Sequence, residues 1–182
     1  MKNIMVVVGS YCKGGNTDKL ADAFIRGATE QGHSVTKVFL GEKKLEFCRG
    51  CMACAKTGKC VLKDDMAGIY AGFDQCDMIV LASPLHYWMF SASLKNFLDR
   101  LYGCAEGDGK ERECALLMTA FADDFWTFEQ AVSYYRFNCV KYLGWKDVGM
   151  VLAGNCGGVG EKRRIEETSH LEEAYAFGKS VS

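Results

Sequence analysis

Read as a string of hydrophobic and polar positions, the chain alternates two rhythms. Short unbroken apolar runs fit strands covered on both faces, and stretches with apolar residues every three or four positions fit helices packed on one side. The first run, Asn3–Val8, ends at Gly9. Asn16 or Thr17 then stands as the cap of a helix whose Leu20, Ala21, Phe24, Ile25 and Ala28 share one face, and Gly32 ends it. Residues 34–40 read as a second strand. A long loop, 41–63, carries a cluster of cysteines, after which Asp64 and Asp65 open a short helix through Phe73. Residues 77–82 form a third strand and 83–90 a loop, and a helix near Ser91 sets Leu94, Phe97, Leu98 and Leu101 on one side. Glu113–Thr119 is the fourth strand and Phe128, Val132, Tyr135 and Cys139 mark a helical stripe. Residues 147–153 form the fifth strand, and a last helix covers 161–179.

Strands that alternate with helices imply a parallel sheet covered on both faces. We therefore expect an α/β, doubly wound, five-stranded parallel sheet in the order 2-1-3-4-5. No repeat or linker interrupts the pattern, so residues 1–182 read as one domain. In this order ligands sit where the strand order reverses, at the C-terminal ends of the first and third strands. The loops 9–16 and 83–90 are the ones that this places at a site.

Composition narrows the classes. A chain of 182 residues can bury about 70% of its unfolded surface, so its core needs no covalent staples. A net charge of −1 argues against nucleic acid as a partner. No apolar stretch approaches the roughly 20 residues that cross a bilayer, and residues 1–9 lack a cleavage site. The expectation is a soluble, cytoplasmic protein with no membrane partner. There the ten cysteines read as thiols or ligands rather than disulfides.

The loop after the first strand reads GSYCKGGNT, Gly9 to Thr17. It is not a Walker loop, since Gly15 and Asn16 stand where Lys and Ser/Thr are required, and it fails the G-x-G-x-x-G dinucleotide pattern. It does hold the parts of a terminal-phosphate cradle: flexible Gly14 and Gly15, short donors at Ser10, Asn16 and Thr17, and a helix N-terminus. The same features also make an ordinary strand-to-helix turn. After the third strand, Pro84 fixes the exit of the chain and His86, Tyr87 and Trp88 follow in a row. Such rings stack on a planar ligand, roof the core or meet a partner subunit.

Together the two loops resemble the flavodoxin-like NAD(P)H-dependent FMN reductase family, which typically shows G-S-P-R-x-x-G-N-T and S/T-P-x-Y-W/F…LK-x-F-x-D-R. Here the second stretch is Ser83-Pro84…Leu94-Lys95-Asn96-Phe97-Leu98-Asp99-Arg100, and the likeness runs on through Gly144-Trp145 and the end helix. Tyr11 and Cys12 replace the family's Pro-Arg pair, which leaves Cys12 and Lys13 beside the phosphate position, and His86 stands where Tyr is usual. The resemblance implies a flavodoxin-like fold, FMN as cofactor and NAD(P)H as co-substrate. It implies Ser10, Gly15, Asn16 and Thr17 at the FMN phosphate. Pro84, Leu85, His86, Tyr87 and Trp88 would lie along the flavin ring, with Thr119 and Ala120 on its other side. Lys95, Asp99 and Arg100 fall within a helix and read as structural. The flavin carries the chemistry, with His86 a candidate proton donor to a reduced substrate.

Cys48, Cys51, Cys54 and Cys60 follow C-x2-C-x2-C-x5-C. Such spacing lets a loop wrap thiolates round an iron–sulfur cube, whereas structural zinc prefers two separated C-x2-C pairs. The pattern resembles the iron–sulfur flavoproteins, a branch of the same family with a [4Fe–4S] cluster beside FMN. Plain or redox-labile thiols are the competing reading. Two functions are therefore in view: an FMN oxidoreductase that passes a hydride from NAD(P)H to a small acceptor such as a flavin or quinone, and an electron carrier with FMN and a [4Fe–4S] cluster that serves a ferredoxin-like protein. The aromatic run 121–128 covers the flavin or packs a partner, and a homodimer or homotetramer is expected. His33 and His170 read as surface residues, and the glycine-rich stretch 155–160 follows the fifth strand.

Overall fold

In the computed structural model, which describes residues 1–102, 110–157 and 164–182, six strands form one sheet. They are β1 (Asn3–Val8), β2 (Ser34–Phe39), β3 (Met78–His86), β4 (Met89–Phe90), β5 (Glu113–Thr119) and β6 (Lys146–Ala153). Five are parallel in the order β2-β1-β3-β5-β6, and β4 pairs antiparallel with the end of β3. Apart from that two-residue strand, this is the doubly wound order expected from the sequence, β5 and β6 being the anticipated fourth and fifth strands.

The apolar runs are unbroken because both faces of the sheet are covered. Met5 and Val7 pack on one side with Phe73, Leu94, Phe97 and Tyr135, while Ile4, Val6 and Val8 pack on the other with Leu20 and Phe24. Each such side chain, fully buried, is worth about 1.5–3 kcal/mol. The first face carries α3 (Met66–Gln75), α4 (Ala92–Arg100) and α5 (Glu129–Tyr135), which runs on as wider π-helical turns over Arg136–Tyr142. The second carries α1 (Asn16–Glu30) and α6 (His170–Ser180). These two helices touch backbone to backbone: a Cβ on Gly27 would come within 2.2 Å of the Tyr175 carbonyl oxygen, and one on Gly178 within 2.2 Å of that of Phe24. The short α2 (Ala53–Thr57) lies inside the cysteine loop.

Four local expectations are revised. Neither Asn16 nor Thr17 caps α1: Gly15 is the cap residue and no side chain caps it. The segment 83–90 is not an open loop, because β3 continues to His86 and turns back tightly into β4. The last helix begins at His170, after a single 3-10 turn at Ile165–Glu167, and residues 158–163 lie outside the described residues. His33 is buried rather than solvent-facing. Its Nδ1 accepts from the Lys2 N–H (3.1 Å), so its Nε2 donates to the Val181 carbonyl (2.9 Å) and clips the two ends of the described chain together.

Candidate functional site

A cleft of about 690 Å3 opens at the C-terminal ends of β1, β3, β5 and β6, where the strand order reverses. Of the residues singled out in the sequence, Ser10, Cys12, Asn16, Thr17, Pro84, Leu85, His86, Thr119 and Ala120 all line it. Phe121, the first residue of the aromatic run expected to cover the flavin or pack a partner, lines it too, as do Tyr11, Cys156 and Gly157, which were not named as cofactor contacts. The available signal was position alone, since each follows the end of a parallel strand.

The first wall forms because β1 stops at Gly9 against α4. A Cβ there would sit 2.6 Å from Ser91 Oγ and 2.7 Å from Leu94 Cβ. Ser91 Oγ and Ser93 Oγ instead donate to the Gly9 carbonyl (2.5 and 3.0 Å), and Ser91 also caps α4 by accepting from the Leu94 N–H. Beyond the turn, the first intrahelical bond of α1 is Lys19 N–H to the Gly15 carbonyl (2.9 Å). The N–H groups of Asn16, Thr17 and Asp18 therefore precede the helical ladder, at the positive end of its dipole.

Asp18, in the first turn of α1, is buried and accepts from the Gly14 N–H (2.7 Å). Its charge is met by Lys37 at 2.6 Å. Burial works to lower the Lys37 pKa, but the contacts with Asp18 and Asp22 outweigh it and the ammonium stays charged. The loop thus already holds a balanced charge pair behind the donors. The Thr17 and Thr119 hydroxyls share a hydrogen bond of 2.7 Å across the cleft, which leaves one hydroxyl proton of the pair free to donate. The Asn16 side chain donates to the Cys156 carbonyl and accepts from the Ile165 N–H, so it ties the loop after β1 to the loop after β6. Lys13 is exposed, ion-paired with Glu42 and not among the lining residues.

The second wall comes from the β3–β4 hairpin. Ser83 Oγ accepts from the Ser91 N–H (2.9 Å) and donates to the Pro84 carbonyl (2.8 Å), fixing where the chain leaves the sheet. The hairpin divides the predicted aromatic segment: Pro84, Leu85 and His86 line the cleft, while Tyr87 and Trp88 line an adjoining pocket of about 320 Å3.

The cysteine loop lies elsewhere. Cys48, Cys51, Cys54 and Cys60 all line one cavity of about 40 Å3, although among the described residues no three metal-ligating side chains are gathered into a group that would hold a metal. The neck of this loop is held from α4. Arg100 donates twice to the Asp64 carboxylate (2.7 and 3.0 Å) and once to the Glu46 carbonyl (2.7 Å). Asp64 accepts in turn from the Glu46 and Met66 N–H groups. The Arg100 guanidinium beside it holds the Asp64 carboxyl below its ordinary value. One helix is thus bonded to the phosphate-type loop at its first turn and to the cysteine loop at its last.

The remaining cysteines differ in character. Burial pushes the Cys114 and Cys156 thiols up to about 11 and that of Cys139 up to about 12. Cys156 therefore meets the cleft as a neutral thiol, donating weakly to the Ala153 and Gly154 carbonyls. Cys12 is exposed, and Cys104 lies outside the described residues.

Comparison with known proteins adds to this geometry. Residues 2–123 match the family model described as NADPH-dependent FMN reductase. The chain is 37% identical over 95 residues to an iron-sulfur flavoprotein of Archaeoglobus fulgidus, covering 52% of this chain and 43% of that protein. It is 34% identical over 94 residues to an iron-sulfur flavoprotein of Methanosarcina thermophila, covering 52% and 49%. The chain spans about half the length of the curated relatives it matches. Among solved structures, the NAD(P)H:quinone oxidoreductase from Methanothermobacter marburgensis superposes with a TM-score of 0.80 at 19% identity, over 98% of this chain and 94% of that one. That likeness is one of fold.

Proposed function

The chain belongs to the NADPH-dependent FMN reductase family, and on that premise we propose that it is an oxidoreductase that holds FMN in the 690 Å3 cleft. The observation that carries this is the juxtaposition at the strand-order reversal of the α1 N-terminus, the Thr17–Thr119 hydroxyl pair and the wall of Pro84, Leu85 and His86. The first two suit a phosphate and the third a planar ring. Bound FMN would supply two-electron chemistry between NAD(P)H and a small acceptor. The protein's own groups bind, orient and screen: Asn16 joins two loops at the cleft, and Ala120 and Phe121 follow Thr119, which pairs with Pro84 beside the hairpin. The test is flavin absorption in the purified protein, followed by flavin-dependent consumption of NADPH or NADH. Protein that neither retains nor rebinds FMN would overturn the reading.

A second reading rests on the cysteine loop. All four thiols line one cavity, and the two curated relatives named above are called iron-sulfur flavoproteins. The donor chemistry suits a [4Fe–4S] cluster, which would make the chain an electron carrier. The side chains are not gathered as the protein stands, so the loop between its clamped ends would close round the metal as it bound. Anaerobic reconstitution with iron and sulfide decides the matter: about four irons per chain supports the carrier, in line with cluster ligation by four thiolates, and iron-free protein ends it.

A further inference from the structure

The cysteine loop carries three features that neither FMN in the cleft nor the spacing of the thiols accounts for. The first is a chain reversal that brings two of its four cysteines together. The α2 helix ends at Gly58, which is left-handed (φ 68°) and whose N–H donates to the Cys54 carbonyl at 2.7 Å. The Thr57 hydroxyl lies within bonding distance of the Ala53 and Lys59 carbonyls (2.9 and 3.1 Å) and ties the two sides of the reversal. The chain therefore returns past the helix, and Cys54 and Cys60 line two cavities in common. One is the 40 Å3 cavity that all four thiols share, and the other is a pocket of about 370 Å3 that Cys48 and Cys51 do not reach.

The second feature is that larger pocket. It lies between the loop and α3, with Lys59 beside the two half-buried free thiols and Tyr70 and Asp74 on the helix side. Asp74 is the one carboxylate among its lining residues. The third feature is charge. Residues 47–63 contain Arg49, Lys56, Lys59 and Lys63 and no acidic residue. All four cations are exposed, and none is ion-paired with another described residue. By contrast Lys2, Lys13, Lys19, Lys37, Lys95 and Lys146 are all paired. A segment of one sign raises the local concentration of oppositely charged solutes.

We propose that Cys54 and Cys60 form an exchangeable dithiol, and that the 370 Å3 pocket takes an anionic disulfide, one that carries carboxylates. Cys60, next to Lys59, receives the substrate and Cys54 resolves it. The Cys60 thiolate attacks one substrate sulfur. The substrate S–S bond breaks, and its other half leaves as a thiolate with the electron pair and takes up a proton. The Cys54 thiolate then attacks the mixed disulfide at the Cys60 sulfur, the second half leaves in the same way, and a Cys54–Cys60 disulfide remains. The balance is protein(SH)2 + RSSR → protein(S–S) + 2 RSH: two protein thiols are oxidised and the external disulfide is reduced. This activity goes beyond the flavin reaction and does not rest on it. The oxidised loop lacks two of the four thiolates that a cluster would need, so the external thiol–disulfide balance would gate iron uptake.

The test uses iron-free, fully reduced protein and two probes: glutathione disulfide, which carries carboxylates, and neutral 2-hydroxyethyl disulfide. The rate is read from the thiol released, and the product is mapped by mass spectrometry of its peptides. With glutathione disulfide, wild type is expected to release both glutathione halves and to contain a Cys54–Cys60 disulfide. Cys54→Ser should stop with glutathione bound to Cys60. Lys56→Gln with Lys59→Gln changes only exposed side chains. It should slow the reaction of glutathione disulfide about tenfold, the lower end of electrostatic rate enhancement, and leave that of the neutral disulfide unchanged. A disulfide mapped to another pair, glutathione trapped on another cysteine in Cys54→Ser, or wild type that keeps all its thiols would overturn the proposal. So would a lysine variant that slows both probes equally or neither. Iron uptake in a separate anaerobic reconstitution decides the cluster reading and leaves this result standing.

Discussion

Arg100→Met is the substitution whose cost follows most directly from the structure. The two side chains of the Arg100–Asp64 pair are 1% and 6% exposed. Replacing the guanidinium with an apolar chain removes two bonds to the Asp64 carboxylate and one to the Glu46 carbonyl. It leaves the carboxylate buried with only the Glu46 and Met66 N–H groups, at 2.8 and 3.1 Å. Breaking a buried pair from one side costs about 3–5 kcal/mol. For a chain of this size each kcal/mol moves the melting temperature by about 2–4 °C, so the drop should be roughly 6–20 °C. Asp64 titrates below its ordinary value in the folded protein because of Arg100. Its stabilisation is therefore complete above the unfolded carboxyl pKa of about 3.9 and fades as the pH falls through the lower folded value. In the variant that carboxyl has lost its cation. The gap between wild type and variant should then be widest near neutrality and narrow on acidification. Thermal unfolding followed by circular dichroism at several pH values measures both effects, and amide exchange at residues 44–46 should rise with the loss of the clamp. A melting temperature within 2 °C of wild type, or a gap that widens toward acid, would refute the reasoning.

Three other outcomes are expected. Changing Asn16 and Thr17 to Ala should weaken FMN binding by a few kcal/mol, since the Thr17 hydroxyl would lose a hydrogen bond to a charged group worth about 1.5–3 kcal/mol and Asn16 would lose its tie between the loops after β1 and β6; unchanged affinity by fluorescence titration would remove these residues from the site. Cys51→Ala should abolish iron uptake in anaerobic reconstitution while FMN stays bound, because the two loops are built from separate segments; iron retention at the wild-type level would contradict the four-cysteine ligand set. The chain should sediment as a homodimer at micromolar concentration, because Tyr87 and Phe125 are almost wholly exposed and would be left in water in a monomer; a monomer would count against it.

Much of this was legible in the chain because it is local. A short apolar run such as Asn3–Val8, bounded by Gly9, fits a strand covered on both sides, and once five such strands alternate with helices the reversal point and its loops follow. The cleft-lining positions after β1 and β3 were readable for that reason, and the family likeness added Thr119 and Ala120. Other features depend on partners far apart in the sequence, and local pattern is blind to them. Nothing near Asp64 announces that Arg100 will close the neck of the cysteine loop, and nothing near Asn16 announces Cys156 and Ile165. Segment 83–90 reads as a loop in the sequence, and only the pairing of Leu85 with Phe90 and of His86 with Met89 folds it into a two-residue turn. The sequence by itself therefore determined the sheet, its order and the end of it where chemistry belongs. Tertiary structure alone decided which donors are already spent, which hydroxyl proton is left to donate, and how the aromatic rings divide between two cavities, because each depends on distance between chain segments that no local pattern encodes.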